Sequence, residues 1–138
     1  MAMRVGIDLV SVDAVRESIR EHGPRYLKRI YTEGELSDCH TPQGILAERL
    51  AARFAAKEAT LKVLHPVDEA VPWRTMEVVH HGAGWVEMEL SGRAADLAAE
   101  ARLSDFALSI SHEAGYASAV VIAELDLRDR RSNPIMNP

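Results

Sequence analysis

At 138 residues the chain is long enough for one domain with a real core and gives no reason to seek a second. Its 21 acidic against 16 basic residues leave a formal net charge of −5, which argues against a general nucleic-acid binder, because displacing phosphate counterions takes a basic excess; any positive site must be local. The single cysteine, Cys39, excludes an internal disulfide and a cysteine-built zinc site, no apolar run approaches the ~18 residues of a membrane span, and with no signal-peptide pattern at the N-terminus these features predict a soluble cytoplasmic protein.

The N-terminal "MRVGIDLVS" alternates Val5, Ile7 and Leu9 against Arg4, Gly6 and Asp8, which predicts a strand whose Asp8 points away from the apolar face, with Gly6 permitting close backbone approach. Val15 and Ile19 lie at helical spacing before Gly23-Pro24, so 13–22 is a short helix with a clear stop, and 25–30 continues beyond the proline. "TEGE" at 32–35 fits a capping box opening a short helix to about Cys39, which reads as a surface or half-buried thiol. "HTPQG" then breaks the chain before a helical pattern over 44–64, in which Leu46, Leu50, Phe54, Leu61 and Leu64 share one stripe. "HPVDEAVP" is a loop, Met76/Val78 and Val86/Met88/Leu90 form a hairpin, 93–103 is an alanine-rich helix, and two strands follow across "EAGY". The polar, proline-punctuated tail over 126–138 is expected to be disordered, leaving one domain over 1–125. The order β-α-α-α-β-β-α-β-β, without βαβ alternation, predicts an α+β fold with a small, mainly antiparallel sheet of four or five strands. "AVVI" at 119–122 is apolar at every position, so both faces of that strand should be covered, one of them by another subunit.

Three features are candidates for chemistry: Asp8 beside Gly6, Lys57–Glu58 with Lys62 on the long helix, and "SISHE" carrying Ser109, Ser111 and His112. Each has an ordinary reading as a solvent-facing strand residue, a surface i,i+4 pair and a turn residue. Lys57, however, falls inside the apolar stripe, with Arg49 and Arg53 on one edge and Glu58 and Lys62 past the other; a charge there must be paired, snorkel to water or face a polar cleft. Two carboxylates make an oxygen-rich site of the kind Mg²⁺ prefers, completed by substrate phosphates, and lysine, arginine and histidine around it would bind phosphate oxygens. The combination points to a metal-dependent reaction on a phosphorylated small molecule.

In this order, "GIDLVSV", "RFAAKEATLK" and "SISHEAGYASAVVI" resemble the three signatures of the small holo-acyl-carrier-protein synthase class of 4′-phosphopantetheinyl transferases: a G-[IL]-D strand, an [FW]-x-x-K-E-x-x-x-K helix and an S-x-S-H strand. "IYTEGEL" and "ELSGRAADLA" are similar to the family as well, and the resemblance runs from Val5 to about Glu124. It implies the 4′-phosphopantetheinyl transferase fold and transfer of the 4′-phosphopantetheine arm of coenzyme A, as substrate, to a serine of an apo acyl or peptidyl carrier protein, releasing adenosine 3′,5′-bisphosphate. By matching motifs, Asp8 and Glu58 would bind Mg²⁺ (or Mn²⁺) with the diphosphate, Lys62 would neutralise the attacked phosphate or the leaving group, and Arg53, Lys57, Lys62, Ser111 and His112 would line the coenzyme A site. A carboxylate or a metal-bound water would take the serine proton. On this reading Lys57 lies on the stripe because the stripe borders a phosphate-binding cleft.

The resemblance also implies a homotrimer with active sites at subunit interfaces, and leaves open whether the carrier serves fatty-acid, polyketide or peptide synthesis. Two departures stand out: "HPVDEAVPW" replaces a glycine-rich turn after the helix, and "SVDAVR" replaces an acid and an arginine after the strand aspartate. They are the support for an alternative, a catalytically degenerate homologue that binds coenzyme A or a carrier. A nucleotide-pyrophosphate hydrolase fits the charges but not the S-x-S-H strand.

Overall fold

A computed structural model describes residues 1–128. The chain opens with strand β1 (Ala2–Ser11), followed by helices α1 (Val12–His22), α2 (Pro24–Ile30) and α3 (Glu33–Cys39). Ser11 caps α1 by accepting from Ala14 N–H, Pro24 starts α2 in the first helical turn, and Thr32 and Glu35 form the reciprocal capping box that the sequence predicts at α3. "HTPQG" is more than a break: β2 (His40–Thr41) and β3 (Gly44–Ile45) pair across it, so α4 starts at Ala47, three residues later than the periodicity suggests, and runs to Leu64. A 3₁₀ turn at Trp73–Thr75 precedes the hairpin β4 (Met76–His80) and β5 (Val86–Leu90). Helix α5 (Gly92–Glu100) ends before the left-handed Arg102, and β6 (Leu103–Glu113) and β7 (Tyr116–Leu125) complete the fold.

The fold is α+β with antiparallel pairing throughout, but the strands do not join one sheet. β1, β7 and β6 form a three-stranded sheet in that order, while β4–β5 and β2–β3 are separate pairs. Helix α4 crosses the inner face of the three-stranded sheet, and its approach explains Gly6: a Cβ there would sit 2.1 Å from the carbonyl oxygen of Ala59. The alanines share the work expected of the leucine stripe. Ala51, Ala52, Ala55, Ala56 and Ala59 are buried, and of the stripe Leu50 and Leu64 are buried as expected, whereas Phe54 and Leu61 are partly buried and Leu46 is exposed. Small side chains let the helix backbone lie close to the strands, as the Gly6 contact requires.

That approach also reverses the sequence reading of β1. Asp8 does point away from Val5, Ile7 and Leu9, but the core lies on the Gly6–Asp8–Val10 side, and Met3, Val5, Ile7 and Leu9 are 60–66% exposed in the single chain. In β7 only Ala119 and Val121 of the "AVVI" run are buried; Val120 and Ile122 share the outward face and pair in register with Ile7 and Val5. Cys39 is fully buried rather than at the surface, and burial pushes its thiol up to about 11, leaving it inert. The tail expected to be disordered lies, beyond Arg128, outside the described residues. Among the described residues no helix is long and apolar enough to cross a membrane.

Candidate active site

The close packing of α4 on β1 brings Asp8, Glu58 and Lys62 together. Lys62 Nζ donates to Ile7 O at 2.7 Å and to Asp8 Oδ1 at 3.2 Å, so the ammonium is tied to the strand that presents the aspartate. Glu58 is partly buried, and its carboxyl is held above the ordinary carboxylate range by that burial first and by the nearby negative charge of Asp8 second, with Lys62 opposing. A carboxylate pair that repels across one lysine is a place where added positive charge is stabilising. Among the described residues no three histidines, cysteines or acids converge on one point. Two oxygen ligands with the remaining positions left to water and phosphate is the donor set that suits Mg²⁺, so Asp8 and Glu58 fit that ion.

A second cluster surrounds an open cavity of about 540 Å³ lined by Arg49, Arg53, His80, Trp85, Ser109 and His112, among others. Arg53 is only 4% exposed and poorly satisfied: Nη1 donates to Arg49 O at 3.3 Å, Nη2 lies 3.9 Å from Asp38 Oδ2, and Nε is buried without a partner. His112 Nδ1 is 3.4 Å from Glu48 Oε2 in the first turn of α4. A buried guanidinium with unspent hydrogen-bonding capacity at a cavity wall is suited to an anion. Neither Asp8, Glu58 nor Lys62 lines this cavity, and neither does Ser111, which is exposed on β6. Within one chain the expected site residues therefore fall into two groups, with Ser111 outside both.

Lys57 belongs to neither. Its side chain is fully buried, and Nζ donates to Glu35 Oε1 at 2.7 Å, to Trp73 O at 3.2 Å and to Met76 O. With all three donors occupied inside the protein, the ammonium does not face a phosphate-binding cleft; the charge on the stripe is paired in the core instead. Phe54, one turn earlier, packs against Trp73 with ring centroids 5.2 Å apart, so two residues of the helix motif anchor the segment that leads into β4.

Sequence reasoning missed Glu35 as more than a cap. Its carboxylate accepts from Thr32 N–H, as a capping box does, and also from Val78 N–H at 3.0 Å and from Lys57. Nothing in the local pattern points to a partner 22 residues away. Arg49, His80 and Trp85 were missed as well; Arg49 at the edge of the long helical stripe, one turn before Arg53, was the available signal. The altered turn after α4 is built without glycine, His65 taking the left-handed cap at φ 54° and Asp68 following at φ 51°. Glu69 then accepts two hydrogen bonds from Arg93, at 2.7 and 2.9 Å, fastening this loop to α5.

Residues 4–121 match the family model of the 4′-phosphopantetheinyl transferase superfamily. A holo-[acyl-carrier-protein] synthase from Chloroflexus aggregans is 39% identical over 88% of this chain and 95% of its own length, and one from Gloeobacter violaceus is 38% identical over 86% and 89%. A solved structure described as the Chronobacterium ammoniagenes ACPS–CoA complex superposes with a TM-score of 0.79 at 31% identity, covering 91% of this chain and 99% of that one. With the aspartate strand, the K-E-x-x-x-K helix and the S-x-S-H strand assembled in this fold, the chain belongs to the 4′-phosphopantetheinyl transferase superfamily.

Proposed function

We propose that this protein is a holo-acyl-carrier-protein synthase, moving the 4′-phosphopantetheine arm of coenzyme A to a serine of an apo acyl carrier protein with Mg²⁺ held by Asp8 and Glu58. The observation that carries the reading is the Asp8–Glu58–Lys62 cluster, in which two mutually repelling carboxylates stand beside a lysine tied to the strand. The names of the relatives and the coenzyme A complex of a similar protein support the substrate and the acceptor.

The serine oxygen attacks the phosphorus that carries the pantetheine arm, and the bond from that phosphorus to the bridging oxygen of the diphosphate breaks. Adenosine 3′,5′-bisphosphate leaves with the bond electrons. When bound, Mg²⁺ neutralises charge on the diphosphate and on the departing oxygen. Lys62 adds a fixed positive charge beside Asp8, lowering repulsion between nucleophile and phosphate. The serine proton would pass to a carboxylate of this cluster or to a water beside it. Arg49, Arg53 and His112 bind phosphate oxygens at the nucleotide end, drawing on the unsatisfied guanidinium of Arg53.

Two surfaces support the partners. The exposed Met3–Val5–Ile7–Leu9 stripe, continued by Val120 and Ile122, is an apolar face suited to further subunits; a homotrimer in which the carboxylate cluster of one chain meets the Arg53–His112 cavity of the next would complete the site. For the carrier, α2 offers Arg25, Lys28 and Arg29, and Arg25 and Arg29 line an apolar recess with Tyr26, Ile30 and Trp73, suited to an apolar side chain within an acidic helix. Buried, reduced Cys39 is compatible with a cytoplasmic location.

Incubation with apo carrier, coenzyme A and Mg²⁺ tests the reading by intact mass. A carrier heavier by one phosphopantetheine arm is the expected result. Adenosine bisphosphate formed without carrier modification signals a hydrolase, and no product with retained coenzyme A binding signals a degenerate homologue.

A further inference from the structure

The cavity beside Arg53 has an aromatic wall that phosphate binding leaves unexplained. Trp85 follows the β4–β5 turn with 54% of its surface exposed, and its indole stacks on the imidazole of His81, with ring centroids 5.4 Å apart and planes inclined by 22°. The turn holds the two rings in register. His81 N–H donates to Trp85 O at 2.9 Å, Gly84 N–H donates to His81 O at 2.9 Å, and Gly84 at φ 102° adopts a conformation that a side chain would resist. Glu87 Oε2 lies 3.3 Å from the far edge of His81 at Nε2, with no hydrogen bond between them.

A large aromatic side chain kept half in water by a closed turn contributes little to a core. Here it contributes a flat apolar surface, beside Val86, Leu108 and Ile110, to a cavity that Arg49 and the buried Arg53 also line, together with His112 and one carboxylate, Asp38, that lies 3.9 Å from Arg53 Nη2. Adjacent aromatic and guanidinium groups are the two chemistries that a phosphorylated nucleoside satisfies at once, the base on the ring and the phosphate on the cation. The order of side chains along α4 and the hairpin places both at the same cavity and away from Asp8, Glu58 and Lys62.

We propose that Trp85, braced by His81, is the stacking wall that reads the base of the coenzyme A nucleotide; the assignment rests on the transferase reading above. Stacking at the base is made equally in ground and transition states, since the base is remote from the breaking bond. Trp85 therefore sets affinity for the donor and leaves the chemical step alone. His81 is a positioning residue that acts only through the indole.

Steady-state kinetics and fluorescence on the full chain test this together. Trp85→Ala should raise KM for coenzyme A about tenfold, the size of a lost base–aromatic stack, with kcat and KM for the carrier within about twofold of wild type. Trp85→Phe should recover most of the loss, and His81→Ala should show a smaller rise in the same KM. The chain has two tryptophans, so Trp73→Phe leaves Trp85 as the sole indole reporter. Adenosine 3′,5′-bisphosphate should then quench its emission saturably, and 4′-phosphopantetheine, which lacks the base, should not. An unchanged coenzyme A KM in Trp85→Ala, or equal quenching by the base-free compound, overturns the assignment. If the wild type transfers no arm at all, the transferase reading fails instead, and the titration, which needs no turnover, still decides whether Trp85 meets the base.

Discussion

Glu35 and Lys57, 22 residues apart in the chain, meet as a fully buried ion pair with 2.7 Å between Oε1 and Nζ. The pair is a junction of four segments. Glu35 reaches the backbone of α3 and β4 through Thr32 and Val78, and Lys57 reaches the 3₁₀ turn and β4 through Trp73 and Met76. Because Lys57 immediately precedes Glu58, the junction fixes the rotation of α4 that turns Glu58 toward Asp8.

Removing one partner leaves the other charge buried and uncompensated. Burial already holds the Lys57 ammonium below its ordinary pKa against the opposing pull of Glu35, so desolvation is the larger effect even with the pair intact. Lys57→Met should cost about 3–5 kcal/mol of unfolding free energy, read from urea denaturation. A loss below about 1 kcal/mol, the range of an exposed pair, would show that the junction is not buried in solution.

The carboxylate pair makes a prediction of opposite character, in which charge removal relieves the neighbour. Glu58 is raised by burial and by Asp8, so its folded-state pKa lies above its unfolded value. Its ionisation therefore weakens the native state as pH rises through the carboxylate range, and the deficit disappears below that range. Asp8→Asn should lower the Glu58 pKa without restoring the ordinary value, because the burial remains. Carboxyl carbon NMR titration reads this directly. Asp8→Ala and Glu58→Ala should each abolish most turnover with the fold retained, and extra Mg²⁺ should rescue neither fully.

Both results separate what one-dimensional pattern reveals from what it conceals. Capping boxes, hairpins and the close approach at Gly6 are legible because each is written within a few residues: Thr32 with Glu35, alternation in 76–80 and 86–90, a glycine in a strand. Which face of β1 is inside is not, since alternation gives two faces and only the packing of α4 chooses between them. Val5, Ile7 and Leu9 look like core and are exposed in the single chain. Likewise a lysine on an apolar stripe signals that a partner exists, but not that the partner is Glu35 rather than a phosphate. The three motifs identified Asp8, Glu58 and Lys62 as a set, and the chain does bring those three together. Ser111 and the separation of His112 from the carboxylates depend on strand facing and helix direction, which motif spacing does not encode.

Carrier docking is predicted to depend on α2 more than on α1. In α1, Arg16 is paired with Asp13 and Arg20 with Glu17, which neutralises much of its face. In α2, Arg25, Lys28 and Arg29 have no ion-pair partner among the described residues. Lys28→Glu should raise KM for an acidic carrier at least severalfold, leave KM for coenzyme A unchanged, and lose its effect in high salt. Arg20→Glu should do less. Equal changes in both substrates' KM would remove the docking assignment.

The contact at Gly6 is predicted to be intolerant of one methyl group. In Gly6→Ala the new Cβ meets the Ala59 carbonyl at 2.1 Å, a backbone atom of the helix that carries Glu58, so relief requires moving α4 away from β1. The cost should be about 3 kcal/mol or more, and whatever protein still folds should have lost most of its kcat, because Lys62 and Glu58 move with the helix. A stable, fully active Gly6→Ala would mean that α4 lies farther from the strand in solution.

The assembly prediction starts from an uncovered face. Met3, Val5, Ile7 and Leu9 stand 60–66% exposed in a row, Val120 and Ile122 extend the patch on the adjacent strand, and a face of that kind in water drives association. Its position matters for chemistry, since one chain holds the Asp8–Glu58–Lys62 cluster and the Arg53–His112 cavity apart. In the proposed homotrimer, each site combines the carboxylates of one chain with the cavity of its neighbour. Native mass spectrometry should report three copies for the wild type, and Ile7→Ser should shift the population toward monomer with parallel loss of activity. Glu58→Ala and His112→Ala, each impaired alone, should regain part of the activity when refolded together, because some interfaces then pair an intact carboxylate cluster with an intact cavity. Mixed trimers confirmed by mass but without recovered turnover would place both halves of the site within one chain, and an active wild-type monomer would remove the need for assembly altogether.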